Sequence, residues 1–158
     1  MKDKVLIIAC GAIALELNQL KKLNSWDNLT IQCLDAELHN TPKLIPGKIK
    51  EKLDTMNGEF SKVFVAYADC GTGGLLDALL KQYNVERLPG AHCYEFFSGT
   101  ETFKHLHVKE LGTFYLTDFL VRHFDRLVIN GLGLDKYPEL KQEYFRHYKK
   151  VVYLAQST

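Results

Sequence analysis

Three cysteines of this chain stand at positions where a thiol can do chemistry. Cys10 follows the apolar run "KVLIIA" and precedes Gly11; Cys70 lies in "ADCGTGG"; Cys93 lies in "GAHCYE", beside His92 and close to Glu95. A thiol placed just ahead of a helix is favoured as thiolate by the unpaired amides and the dipole of that helix. Thiolates are good zinc ligands, so Cys10, Cys70 and Cys93 with His92 would complete a tetrahedral zinc set. His92 and Cys93 are neighbours and compete for one ion, which leaves Glu95 as an alternative fourth donor. Three cysteines alone would hold a [4Fe–4S] cluster with one iron open to substrate. The ligand spacing is long and carries no local metal signature. Cys33 differs: it lies inside an expected strand and reads as a core residue, because a free cysteine packs as a small hydrophobe.

The glycines around Cys70 support a second chemistry. A glycine-rich turn at a helix N-terminus presents amides to an anion. No Lys-Ser/Thr follows the turn, so it is not a Walker A loop, and its spacing is not G-x-G-x-x-G. In this metal-free reading Gly11, Asp69, Gly71, Thr72, Gly73 and Gly74, with His39, Asn40 and Glu95, line a small anionic ligand. Cys70 then acts as a nucleophile or redox thiol. His39 and Asn40 come from "LHNTP", just before Pro42, where Asn40 or Thr41 also suits a helix cap.

These side chains need a scaffold that gathers them. The continuous apolar run at 4–9, the alternating stretch at 29–36, and the stretches at 62–68, 126–133 and 150–155 read as strands. Apolar residues at helical spacing mark helices at 12–23, 42–56, 74–83 and 113–124, and a last helix starts near Pro138. The segment 90–97 reads as extended or turn-like. The alternation predicts an α/β fold: an open, mostly parallel, Rossmann-like sheet with helices on both faces. Sites in such sheets lie beyond the carboxyl ends of the strands, where the three cysteines fall. A single α/β domain over 1–158 is expected. The final strand has no helix after it to cover it, so the natural protein is expected to continue past residue 158, or a homo-oligomer to cover that edge.

Composition removes several function classes. A net charge of +1 gives no electrostatic case for nucleic acid or a membrane surface. Every apolar run is shorter than the roughly 18 residues that a membrane span requires. The N-terminal apolar run of about six residues lacks a small-x-small cleavage site, so it reads as a strand and not as a signal peptide. Four cysteines without a C-x-x-C pair point to a reducing, cytoplasmic setting.

Taken together, "ACGAIALE", "LHNTP", "ADCGTGG", "HCYEFFSG", "GTFYLTDFLVRHFD", "INGLGLDKYPEL" and "VVYLAQ" resemble the prokaryotic domain-of-unknown-function family numbered 1638. The motif positions are Cys10, Gly11, Glu16, His39, Asn40, Asp69, Cys70, Gly71, Gly73, Gly74, His92, Cys93, Glu95, Asp118 and His123. The resemblance implies association with corrinoid-dependent methyltransferases, hence a role near methyl-group metabolism and a possible methyltransferase partner on which the chain would dock. The chain lacks D-x-H-x-x-G, the source of the lower axial ligand in base-off corrinoid carriers, so it is not read as a corrinoid carrier.

Overall fold

A computed structural model describes residues 3–56 and 58–156. The chain divides into two compact units, Met1–Cys93 and Tyr94–Thr158.

The first unit alternates strand and helix: β1 (Val5–Cys10), α1 (Ala14–Leu23), β2 (Leu29–Leu34), α2 (Ile45–Asp54), β3 (Lys62–Ala66), α3 (Leu75–Tyr83) and a short β4 (Glu86–Arg87). All pairings are parallel, and the order is β2-β1-β3-β4. The result is an α/β architecture built on an open parallel sheet with interspersed helices. β1 is an inner strand, in register with β2 from Val5↔Leu29 to Cys10↔Leu34 and with β3 from Val5↔Lys62 to Ala9↔Ala66. Its inner position explains why it is apolar at every residue, with Leu6, Ile8, Ala9 and Cys10 fully buried. From α2 come Ile45 and Ile49, and from α3 Leu76, all fully buried; each such side chain contributes about 1.5–3 kcal/mol relative to exposure.

After β2 the chain crosses to the other side of β1 to form β3. The connections leaving the carboxyl ends of β1 and β3 therefore diverge. Such a switch in strand order is where open α/β sheets bind ligands. Cys10 is the last residue of β1, and Tyr67, Asp69 and Cys70 follow β3 directly.

The second unit holds α4 (Glu95–Ser98), α5 (Thr100–Lys109), β5 (Thr113–Thr117), α6 (Asp118–Arg122), a π-helical stretch (Asp125–Asn130), α7 (Leu140–Phe145) and β6 (Lys150–Leu154), with β5 and β6 paired in parallel. Two sequence expectations change here. The span 113–124, read as one helix, begins as a strand. Thr113, Tyr115 and Thr117 are buried while Phe114 and Leu116 are only partly so, which is the period-two pattern of a strand. The Thr117 hydroxyl then accepts from the Leu120 amide at 3.2 Å and starts α6. The span 126–133, read as a strand, continues the helical path. Amide donation from Gly131 to the Arg126 carbonyl and from Leu134 to the Ile129 carbonyl gives the wide turn, and Leu127 and Val128 are buried.

A third correction concerns Cys33. It is exposed, not in the core, because β2 is an edge strand and is covered less fully than β1. Among the described residues no helix is long and apolar enough to cross a membrane.

Candidate metal centre

Each side chain of the site is held by backbone geometry at a strand end. Cys10 stops β1, and its sulfur accepts the Ala12 amide at 3.3 Å, capping the short 3-10 turn Gly11–Ile13. Beyond β2, Asp35 accepts from the Glu37 amide at 2.9 Å and starts the turn Ala36–Asn40. That turn carries His39, whose Nδ1 lies 3.0 Å from the Ala36 carbonyl. Donation of Nδ1–H to this carbonyl fixes the ring and leaves Nε2 as the ligating atom, an arrangement common around metal-bound histidines. The packing of β1 against this turn is tight: a methyl group on Gly11 would stand 2.9 Å from the Leu34 carbonyl oxygen.

The "ADCGTGG" turn is organised by Asp69. Its carboxylate accepts from the Thr72 hydroxyl at 2.7 Å, the Gly74 amide at 2.9 Å and the Gly73 amide at 3.1 Å. Burial opposes ionisation of this carboxyl, but the Gly74 amide, the Thr72 hydroxyl and the Gly73 amide together hold it below the usual carboxylate range. Gly71, Gly73 and Gly74 all have positive φ, as only glycine does without cost, and Cys70 itself is left-handed at φ +49. Three glycines are there because the backbone visits that region four times in five residues. The turn is then tied to the next loop, the Asp69 amide donating to the Gly90 carbonyl (3.1 Å) and the Cys70 amide to the Ala91 carbonyl (2.8 Å). Arg87 fixes that loop from below by a two-pronged pair with Asp77 (2.6 and 2.8 Å) and a bond to the Leu88 carbonyl (2.7 Å). Cys93 is thereby brought to Cys70, with the sulfurs 3.0 Å apart.

The four residues converge. One ligand atom each from Cys10, His39 and Cys93 lies within 4.8 Å of the others, a group that could hold a metal ion. Cys10, Cys70 and Cys93 are buried, all three are free thiols, and His39 is half-buried. Tyr67 packs against the group: it is fully buried, its ring stacks on His39 at 5.9 Å, and its hydroxyl stands beside the Cys10 sulfur without meeting the geometry of a hydrogen bond.

The electrostatics follow from this crowding. Burial works against the His39 imidazolium, but hydrogen bonds to Cys70 and Cys93 and their negative charge raise it to about 10. The Cys93 sulfur, followed by burial, pushes the Cys70 thiol far up, against the pull of His39. Burial and then the charges of Cys10, Cys93 and Cys70 raise Tyr67, which stays a proton donor. The pocket thus resists negative charge unless a cation is present to balance it.

The imidazole in the cation group is that of His39, expected as a ligand-binding residue; His92, expected as the metal ligand, precedes Cys93 in the loop and is outside the group. Gly11 and the Asp69–Gly74 turn border the site as scaffold, and Asn40 is exposed at the end of the His39 turn. Glu95 begins α4 of the second unit and is buried there. Tyr67 and Arg87 were not anticipated. Tyr67 had a signal, as the one hydroxyl in an otherwise apolar run ending at the "DCG" turn; Arg87 had none without the pairing of β3 with β4.

The sequence profile of the family described as "Protein of unknown function (DUF1638)" matches residues 33–158, and the chain belongs to that family. The match takes in His39, Cys70 and Cys93 and begins after Cys10. No curated protein and no solved structure matches the chain.

Proposed function

We propose that this DUF1638 chain is a zinc protein whose ion is held by Cys10, His39 and Cys93 at the strand-order switch. The observation that carries this reading is the approach of those three ligand atoms to within 4.8 Å in a largely buried site. Ligands so close surround a single ion. The thiolates of a four-iron cluster each bind a different iron and stand farther apart, so the spacing favours zinc over the cluster. Two thiolates and an imidazole leave a fourth position, as in catalytic zinc sites, and Cys70 or an exchangeable ligand can take it. Tyr67 supports the exchangeable position, since a buried hydroxyl without a hydrogen bond suits a small ligand on the ion.

An ion with an open position binds a thiol as thiolate or polarises an oxygen donor. The link to methyl-group metabolism, and to a methyltransferase partner in the cytoplasm, enters through that chemistry: a metal-held thiolate is a methyl acceptor. The alternative of an anion cradled on the glycine turn is less favoured, because the Gly73 and Gly74 amides already bond Asp69.

The test is elemental analysis of protein purified without an affinity metal column, followed by zinc reconstitution and cobalt substitution. Wild type and Cys33→Ser should hold stoichiometric zinc, and the cobalt form should show sulfur-to-metal charge-transfer bands; Cys93→Ser should lose both. Wild-type protein that takes up no stoichiometric zinc after reconstitution overturns the proposal.

A further inference from the structure

The metal group leaves one buried thiol over. Cys70 is outside the group formed by Cys10, His39 and Cys93, yet its sulfur is 3.0 Å from that of Cys93. Unbonded sulfurs rarely come so close, and a disulfide needs them at about 2.05 Å. The approach is built by the backbone. Cys70 is held left-handed at φ +49, and the bonds from the Asp69 and Cys70 amides to Gly90 and Ala91 lash its turn to the segment carrying Cys93. Both thiols are free and nearly inaccessible, at 6% and 5% exposure, so large thiol reagents are kept out while a molecule near the size of water is less hindered.

We propose that Cys70 and Cys93 are a reversible dithiol–disulfide pair, oxidised by hydrogen peroxide, and that closing the disulfide disables the metal site. The Cys93 thiolate attacks one peroxide oxygen; the O–O bond breaks, and the leaving oxygen takes a proton and departs as water. Cys93 is then a sulfenic acid. The Cys70 sulfur attacks it, the S–O bond breaks, the S–S bond forms, and the departing hydroxide takes the Cys70 proton as a second water. The two thiols give up two electrons, and the peroxide accepts them. Cys93 is shared between the pair and the metal group, so oxidation leaves Cys10 and His39 as the only members of that group still able to ligate. This second clause rests on the zinc reading; the disulfide itself does not.

The experiment treats reduced, metal-free wild type with hydrogen peroxide and maps peptides by mass under non-reducing conditions. A Cys70–Cys93 linked pair is expected, reversed by dithiothreitol and unaffected in Cys33→Ser. In Cys70→Ser, checked for folding by circular dichroism, Cys93 should stop at sulfenic acid and be captured by dimedone. Higher oxides at Cys93 in the wild type, or disulfides running to Cys10 or Cys33 instead, overturn the proposal. A parallel arm loads zinc first and follows its release with a chromophoric chelator; release should keep step with the disulfide. Disulfide formation in a protein that never takes up zinc refutes the metal reading alone, and zinc uptake without a disulfide refutes the redox pair alone.

Discussion

Gly11→Ala offers a sharp test of how the site is assembled. Gly11 is outside the left-handed region, so alanine meets no backbone penalty there, and the effect comes from space alone. The added carbon would stand 2.9 Å from the Leu34 carbonyl oxygen, about 0.5 Å short of the 3.4 Å at which ordinary contact begins. That oxygen belongs to the backbone of β2 at the residue paired with Cys10, so it has no flexible end to swing away. Relief must push the end of β2, and the Ala36–Asn40 turn with His39, away from Cys10. Overpacking of this kind costs about 1–3 kcal/mol. With a urea dependence of about 1–3 kcal/mol per molar, the unfolding midpoint should fall by roughly 1 M. Metal ligands tolerate displacements of only about 0.2 Å, so zinc affinity should fall on the order of 10–100-fold, the range seen when supporting residues are altered. Chelator competition and urea melts measure both. Gly47→Ala is the control: it lies in α2 with nothing within 4 Å of the added carbon, so stability should rise by about 0.5–1 kcal/mol and affinity stay unchanged. If Gly11→Ala keeps both the affinity and the midpoint of the wild type, the contact between β1 and the His39 turn does not set the site.

Further expectations concern single groups. Asp69→Ala removes the acceptor of three hydrogen bonds and should cost about 2–3 kcal/mol at neutral pH, read from urea melts. Because the folded-state carboxyl titrates below its ordinary range, that stabilisation is complete above the unfolded value and fades as pH falls through the folded one; the acid limb of the wild-type stability curve should therefore be steeper than that of the variant. Tyr67→Phe should leave the metal-free protein equally or more stable, since the hydroxyl removed is buried and unpaired, while weakening exogenous thiol binding to the cobalt form. Thr117→Ala, which deletes the cap on the Leu120 amide, should lower stability by about 0.5–2 kcal/mol in thermal melts without changing zinc affinity.

Where the sequence was legible, one physical pattern dominated. β1 is apolar at every residue because it is flanked by a strand on each side, and Cys10 with Gly11 marks its carboxyl end. The second unit was harder to read. "TFYLTDFLVRHF" mixes period two with helical spacing, and only the Thr117 cap separates the strand from the helix. "RLVIN" carries β-branched residues on a π-helical path, so its propensity and its structure disagree. At the site, the cysteine positions were visible but the choice of histidine was not. His92 is adjacent to Cys93 in sequence, whereas His39 reaches the group only because β2 pairs with β1 in register. Cys33 shows the opposite limit: a strand pattern does not reveal which strand lies at the sheet edge.

The order β2-β1-β3-β4 also has a kinetic consequence. The group Cys10, His39 and Cys93 is scattered across most of the first unit, and it meets only after β1 has paired with both neighbours. Parallel pairings of that separation form late in folding, since the loops between them must first be closed. The unfolded chain therefore offers zinc no local chelate around which to nucleate. An ion that joins after the rate-limiting step stabilises the native state alone, so zinc should slow unfolding while leaving the refolding rate almost untouched.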